Sequence, residues 1–261
     1  MLCPHLLIFS TAIVYIKDDN LLNSKILFYS SLVGLSAFII LIYLFQHGGG
    51  YYHMDKVICF GKNYQDHMLE LGDAAVDKPV IFLKPPSVVH QCPAWGNNIN
   101  VALTGSETHF ECELVIKLCK GGYKLNAEEA LEAIGSYTLG LDMTLRKEQA
   151  LLKENRHPWT TSKVFPDAAI IGPWINVVNM DFLDTEFTFT LDKLLKQKSC
   201  GKNMLFNPVE LIVYASKHFA LCEGDILFTG TPSGVGAVKE DSTGVLQIGQ
   251  YHYGVNWHKS N

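Results

Sequence analysis

The sequence lacks the signatures of several common enzyme classes. It contains no G-x-G-x-x-G dinucleotide motif, no G-x-x-x-x-G-K-[ST] phosphate loop and no G-x-S-x-G nucleophile elbow. Its seven cysteines are scattered singly, without a C-x-x-C pair, which favours buried thiols in a reducing compartment over a disulfide framework. The chain has no excess of positive charge, since its net charge at pH 7 is −5. This balance argues against electrostatic binding to nucleic acid or to an anionic membrane.

The strict alternation of strand and helix that typifies a Rossmann domain is missing as well. Short strands separated by turns dominate, which predicts an α+β, β-dominated fold. Two helices have clear start signals: Asn126 caps a predicted helix over 127–134, and Asn207-Pro208 opens another that we predict to run to residue 219. Residues 87–107 have no well-defined pattern and are predicted to be a loop.

Residues 109–118 (HFECELVIKL) carry the most informative pattern. Apolar residues alternate with others at period two, which predicts a strand with one buried face. Glu111 and Glu113 are two residues apart, so they project from the same side of that strand. Adjacent carboxylates repel unless a cation lies between them, and hard divalent ions prefer carboxylate oxygen. The alternative is an exposed strand face that carries two acids.

A second acidic position follows downstream. Residues 135–144 indicate a strand that ends at Asp142, a candidate third metal ligand, before a predicted helix over 145–153. Arg146 and Gln149 are three residues apart on that helix and share one face near Asp142. Lys163, in the segment PWTTSK, offers a further cation.

Taken together, six ordered blocks resemble the fumarylacetoacetate hydrolase family, within it the acylpyruvate hydrolase and oxaloacetate decarboxylase/tautomerase branch. They cover roughly residues 56–240. The blocks are CFGKNYQDHMLE (59–70), PVIFLKP (79–85), HFECEL (109–114), LGLDMT (139–144), PWTTSK (158–163) and GDILFTGTPSGVG (224–236).

The resemblance implies a mixed β-sandwich and rolled β-barrel that buries its metal, usually as a homodimer. It implies that Glu111, Glu113 and Asp142 hold Mg²⁺, with Mn²⁺ or Ca²⁺ as alternatives. The family also has a glycine-containing turn near residue 193, where this chain has Asp192-Lys193. That hairpin and the C-terminal residues 243–257 depart from the family pattern.

His67 and Glu70 stand at positions i and i+3, where a carboxylate orients an imidazole and raises its basicity. On its own the pair is also compatible with a surface contact. In the family these two positions form a water-activating dyad, so the resemblance makes them catalytic together with Lys163. The expected substrate-binding residues are Lys62, where relatives often have Arg, and Arg146, Gln149 and Thr231.

The resulting hypothesis is a metal-dependent acylpyruvase, a hydrolase that cleaves the C–C bond of acylpyruvates and releases pyruvate and a carboxylic acid. The metal polarises the 2-oxo acid, and water activated by His67 attacks the second carbonyl. The alternative is decarboxylation or keto–enol tautomerisation of oxaloacetate or another 2-oxo acid, which needs no hydrolytic water. A further alternative is a degenerate relative that binds 2-oxo acids or metal without turnover.

Residues 1–53 differ from the rest of the chain, and we interpret them as an extension that precedes a catalytic domain over 54–261. Residues 26–45 form an uncharged run that is long enough for a transmembrane helix. A cleaved signal peptide fits poorly, because charged residues separate this run from the shorter one over 6–16. The hypotheses that remain are a cytoplasmic domain with a membrane anchor at 26–45, or an extension that is not native to the enzyme.

Overall fold

The computed structural model describes residues 54–71 and 77–259, together with two short strands nearer the N-terminus. The chain divides into two compact units, Met1–Tyr52 and His53–Asn261. In the first unit, strand β1 (Ala12–Val14) pairs antiparallel with β2 (Leu27–Tyr29). The part of the chain that the structure describes has no helix that is long and apolar enough to span a membrane.

The predicted transmembrane segment 26–45 is therefore not supported. It lies outside the described residues apart from β2, and β2 is a strand rather than a helix.

The second unit consists mainly of strands. Its strands are β3 (Val57–Gly61), β4 (Val80–Lys84), β5 (Val89–Gln91), β6 (Asn98–Leu103), β7 (Thr108–Phe110), β8 (Cys112–Leu118), β9 (Ile134–Asp142), β10 (Thr144–Leu145), β11 (Ala169–Ile171), β12 (Ile175–Asn176), β13 (Phe187–Leu191), β14 (Leu194–Ser199), β15 (Ile226–Phe228), β16 (Gly236–Ala237), β17 (Thr243–Ile248) and β18 (Tyr251–Lys259). Its α-helices are α1 (Gln65–Leu71), α2 (Ala127–Glu132), α3 (Arg146–Glu154), α4 (Thr160–Lys163) and α5 (Pro208–Ser216). Three short 3₁₀ helices cover Pro86–Val88, Met180–Asp184 and Gly201–Asn203.

These strands form one large and two smaller sheets. The eight-stranded sheet has the order β4-β3-β15-β8-β9-β11-β5, with β12 paired to β9, and it curls into a half barrel. A five-stranded sheet has the order β14-β13-β17-β18-β6, and β7 forms a small sheet between β10 and β16. Parallel and antiparallel pairs occur together. The predicted β-dominated fold with a rolled barrel is confirmed.

Strand β8 is buried on both faces, whereas the sequence pattern predicted one buried face. Cys112, Leu114 and Ile116 face the main core, and Val115 on the other face belongs to a second apolar cluster with Val57. This second cluster covers the face of the sheet that carries the acids. The alternative of an exposed acidic face is wrong, because Glu111 and Glu113 are both buried.

Two sequence-based assignments need correction. Residues 87–107 are not a loop, because β5 pairs parallel with β11 and β6 pairs parallel with β18. Both partners are distant in sequence. Residues 98–101 alternate between polar and apolar, with Ile99 and Val101 buried, and this short signal was missed. Helix α5 ends at Ser216 rather than at residue 219, although the amide of Phe219 still donates to the carbonyl of Ala215.

The turn without glycine is well formed. Asp192 and Lys193 join β13 to β14, and both have positive φ, 52° and 66°. Such angles suit the twist of a two-residue hairpin but are costly for residues with a Cβ atom. The carboxylate of Asp192 offsets part of this cost, because it accepts hydrogen bonds from Ser242 Oγ (3.1 Å) and the Thr243 amide (2.9 Å). The atypical C-terminal strands thus supply the contacts that hold this turn.

We predict that a chain of residues 54–261 folds without the N-terminal extension, because residues 54–259 contain their own sheets and core. Its melting temperature should lie within about 4 °C of that of the full chain, which corresponds to roughly 1 kcal/mol for a domain of this size. Circular dichroism melting of both chains measures the difference. A truncated chain that is insoluble, or that melts without cooperativity, contradicts the domain boundary.

Candidate active site

The antiparallel pairing of β8 with β9 brings the three predicted ligands together. Cys112 pairs with Leu141 and Glu113 with Gly140, so Asp142 at the end of β9 lies opposite Glu111. The amide of Asp142 donates to the carbonyl of Glu111 at 2.9 Å and fixes this register. One carboxylate oxygen from each of Glu111, Glu113 and Asp142 lies within 4.8 Å of the other two. All three side chains are buried.

Two cations contact Glu111. Arg146, at the start of α3, forms an ion pair with Glu111 Oε1, and Lys163 Nζ lies 2.9 Å from Oε2. Lys163 also lies 2.7 Å from Asp142 Oδ2 and donates to Thr144 Oγ1. Burial alone would raise the pKa of the Glu111 carboxyl, but the charges of Lys163 and Arg146 outweigh it and hold that pKa well below its usual range. Glu111 is therefore ionised.

Lys163 is also charged. Burial alone would lower the pKa of its ammonium group, but the carboxylates of Asp142 and Glu111 raise it above its ordinary value.

A second buried lysine stands behind Asp142. Lys84, the last residue of β4, lies 2.6 Å from Asp142 Oδ1 and donates to the carbonyls of Met143 (3.0 Å) and Ala168 (2.5 Å). The contact with Asp142 is an ion pair without hydrogen-bond geometry, so Oδ1 is a buried oxygen without a donor among the described residues. Sequence analysis gave Lys84 no role, although it lies within the PVIFLKP block.

Glu113 contacts a backbone donor. The amide of Gly230 donates to its Oε2 at 2.6 Å. Burial raises the pKa of the Glu113 carboxyl well above its ordinary value, and the negative charges of Asp142 and Glu111 raise it further. A positive charge placed among the three carboxylates would therefore favour the ionised form of Glu113.

This donor set fits a hard divalent cation. It offers oxygen atoms from three carboxylates, and one of these atoms, Asp142 Oδ1, accepts no hydrogen bond from the described residues. A cation placed between the carboxylates would relieve their mutual repulsion. The residues that would hold the ion are those predicted from the sequence, Glu111, Glu113 and Asp142.

The predicted dyad lies at the edge of the same pocket. His67 is on α1, and its Nδ1 is 3.2 Å from Glu70 Oε2. With the carboxylate accepting from Nδ1–H, the unprotonated Nε2 is the basic nitrogen. The His67 side chain is buried, while Glu70 is partly exposed. The pair is thus built into the site and is not a surface contact.

A glycine-rich loop holds both parts of the site. Gly230 donates to Glu113, and the amide of Gly234 lies 3.1 Å from both carboxylate oxygens of Glu70. Gly234 has a φ of +97°, and a Cβ atom there would lie 2.0 Å from the carbonyl oxygen of Lys196. Only glycine fits this conformation and this close approach. The loop therefore links the carboxylate cluster to the dyad.

Gln197 and Thr231 form a brace beneath this loop. Gln197 Oε1 accepts from the Cys112 amide at 2.8 Å, and its Nε2 donates to Thr231 Oγ1 and to the carbonyl of Pro232. Thr231 Oγ1 in turn donates to the Cys112 carbonyl at 2.9 Å. The Thr231 hydroxyl is thus used within the protein, and its direct contact with substrate stays a prediction. Gln197 is a functional position that sequence reasoning did not assign.

One cavity collects most of the predicted site residues. Its volume is about 30 Å³, because the side chains of Arg146 and Lys163 extend across it to the carboxylates. It is lined by Gly61, Lys62, His67, Phe82, Glu111, Asp142, Arg146, Gln149, Lys153, Trp159 and Lys163. Glu113, Glu70 and Thr231 support this lining from behind. Lys153, Phe82 and Trp159 were not predicted as site residues.

Sequence comparison agrees with this architecture. Residues 56–251 match the profile of the fumarylacetoacetate (FAA) hydrolase C-terminal family. The chain belongs to the fumarylacetoacetate hydrolase family. It is 37% identical over 185 residues to a mitochondrial oxaloacetate decarboxylase of Dictyostelium discoideum, a match that covers 70% of this chain and 84% of the relative. It is also 37% identical over 187 residues to a mitochondrial oxaloacetate tautomerase of Arabidopsis thaliana, covering 70% and 82%.

A solved structure of the family is similar as well. The fumarylpyruvate hydrolase of Pseudomonas aeruginosa, crystallised with Mn²⁺ and pyruvate, superposes with a TM-score of 0.74 at 31% identity. The match covers 82% of this chain and 94% of that one. The relatives are enzymes that carry out hydrolase, decarboxylase and isomerase reactions.

We predict that Asp142→Asn weakens binding of Mg²⁺ and Mn²⁺ by about 10–100-fold or more, because it removes a charged ligand from the carboxylate cluster. Calorimetric titration of the EDTA-treated protein measures the affinity. The control is Glu132→Gln, since the Glu132 carboxylate is exposed and pairs with Lys120 at the surface. Unchanged affinity in Asp142→Asn contradicts the metal assignment.

Proposed function

We propose that this chain acts on oxaloacetate and exchanges its keto and enol forms by moving a proton at C3. The observation that carries the proposal is the placement of the buried, carboxylate-paired His67 in one cavity with the carboxylate cluster, Arg146 and Lys163. The two relatives at 37% identity are named for oxaloacetate reactions, which supports the same substrate.

A divalent ion held by Glu111, Glu113 and Asp142 supplies Lewis-acid polarisation of the 2-oxo acid. Arg146 and Lys163 bind the substrate's first carboxylate and stabilise the negative charge that develops on the 2-oxo oxygen. Because both side chains now pair with Glu111, substrate enters when they exchange part of this pairing for the carboxylate of the ligand.

His67 is the proton carrier in this proposal. Its Nε2 accepts the C3 proton, and the resulting imidazolium delivers a proton to the enolate oxygen. Glu70 holds the ring through Nδ1 and stabilises the imidazolium. Gln149, whose Oε1 accepts from Arg146 at 2.7 Å, orients that guanidinium. Loss of CO₂ from C4 of oxaloacetate breaks the C3–C4 bond and leaves the enolate of pyruvate. Decarboxylation therefore uses Arg146 and Lys163 to stabilise the developing negative charge, but it needs no base to remove a proton from C3.

We predict that His67→Ala lowers the rate of keto–enol exchange by about 10²–10⁴-fold, the usual contribution of a positioned base. The decay of enol absorbance at saturating Mg²⁺ measures this rate above the uncatalysed background. His218→Ala is the control, because His218 contacts Tyr214 and Phe219 and does not line the cavity. A His67→Ala variant with wild-type exchange contradicts the role of His67.

Hydrolysis of acylpyruvates is the second candidate. It is favoured by the His67–Glu70 pair, which suits activation of water, and by the similarity to the fumarylpyruvate hydrolase structure. Here His67 takes a proton from water, the hydroxide attacks the C4 carbonyl, and the C3–C4 bond breaks to give a carboxylic acid and the enolate of pyruvate.

A comparison of two reactions separates these candidates. If hydrolysis is the native reaction, we predict that the wild-type chain cleaves acetylpyruvate and that His67→Ala lowers the rate of this cleavage by about 10²–10⁴-fold. The rate of oxaloacetate decarboxylation should fall much less in the same variant, because loss of CO₂ needs no base. Asp142→Asn should suppress both reactions. Pyruvate release measures each rate. A wild-type chain that leaves acetylpyruvate intact excludes the hydrolase candidate.

A further inference from the structure

Helix α3 presents three polar side chains to the cavity. Arg146, Gln149 and Lys153 recur at intervals of three and four residues, which places them on one face, and all three line the cavity. Arg146 contacts Glu111 at the carboxylate cluster. Lys153 lies seven residues further along the helix, about 10 Å along its axis. The two cations therefore mark an inner and an outer end of the cavity lining.

The outer cation lies against an aromatic wall. Lys153 Nζ is 5.3 Å from the centroid of the Trp159 ring, and this ring packs edge-to-face on Phe82 with centroids 6.0 Å apart. Lys163 Nζ lies 4.8 Å from the centroid of the Phe82 ring. Cation–π contacts orient an ammonium group over the face of a ring. The wall thus presents one ammonium at each end, Lys163 within the carboxylate cluster and Lys153 outside it.

The charged residues of the cavity lining are mostly cations. Four of the eleven lining residues are Lys or Arg, and two are carboxylates. A monocarboxylate can contact the cations at one end of the lining, whereas a dianion can place one carboxylate at each end.

We infer that Lys153, oriented by Trp159, binds the distal carboxylate of a dicarboxylic 2-oxo acid and thereby selects dicarboxylates over monocarboxylates. The inference rests on the proposed function in one respect, that the 2-oxo end of the ligand lies at the carboxylate cluster. It adds a specificity-determining residue at the outer end.

Two non-reacting probes test this selection. Malate and lactate present the same 2-hydroxy acid to the carboxylate cluster, and only malate has a distal carboxylate. Calorimetric titration of the Mg²⁺-saturated full chain should show about 10–100-fold tighter binding of malate, the usual effect of one charge-assisted hydrogen bond. Lys153→Met should remove this preference by weakening malate binding while lactate affinity stays within about twofold.

Two further variants control the experiment. Lys147→Met changes an exposed lysine of the same helix that pairs with Glu107, and it should keep the preference for malate. Lys153→Arg should also keep it, because the cation is retained. The inference is overturned if the wild-type chain does not bind malate or does not prefer it. It is also overturned if Lys153→Met leaves the preference intact or weakens malate and lactate equally.

The binding experiment on Lys153 and the activity on oxaloacetate can fail independently of each other. A chain that prefers malate through Lys153 but does not act on oxaloacetate supports this inference and contradicts the proposed function. A chain that acts on oxaloacetate without a Lys153-dependent preference supports the proposed function and overturns this inference.

Discussion

The repulsion among three buried carboxylates constrains the rest of this structure. Two unit charges within 4.8 Å of each other repel by about 3 kcal/mol or more at an effective dielectric constant of 20. Glu111, Glu113 and Asp142 would form three such pairs with all three ionised, and burial together with this repulsion raises the pKa of the Glu113 carboxyl. The protein opposes this repulsion with Lys163, with Lys84 and with other donors around the cluster. Such a cluster is costly for stability alone, so its presence in the core of the sheet indicates a functional role.

Local sequence patterns predicted the parts of the site that depend on neighbours along the chain. Spacing along one strand placed Glu111 beside Glu113, and helical spacing placed His67 beside Glu70. The missed residues act across long distances in sequence. Lys84 contacts Asp142, and Gln197 connects Cys112 to the loop after β15. No periodicity encodes such contacts.

The difference between local and long-range contacts also explains where the predicted fold was wrong. Strands β5 and β6 are short, and their partners, β11 and β18, come from much later in the chain, so the neighbouring residues do not identify the pairing. The turn at Asp192 was singled out because it lacks the family's glycine, and the donors that hold it, Ser242 and Thr243, are about fifty residues away in the sequence. The family resemblance, carried by ordered blocks, identified the overall architecture where single segments could not.

The position of β15 has a consequence for how the protein acquires its site. This strand lies between β3, the first strand of the second unit, and β8, and the loop that follows it supplies the Gly230 amide to Glu113. The large sheet therefore has a gap until most of the chain has been synthesised. Such non-local pairing slows folding and exposes unpaired strand edges in the meantime. The carboxylate cluster is consequently completed late, when the last central strand enters the sheet.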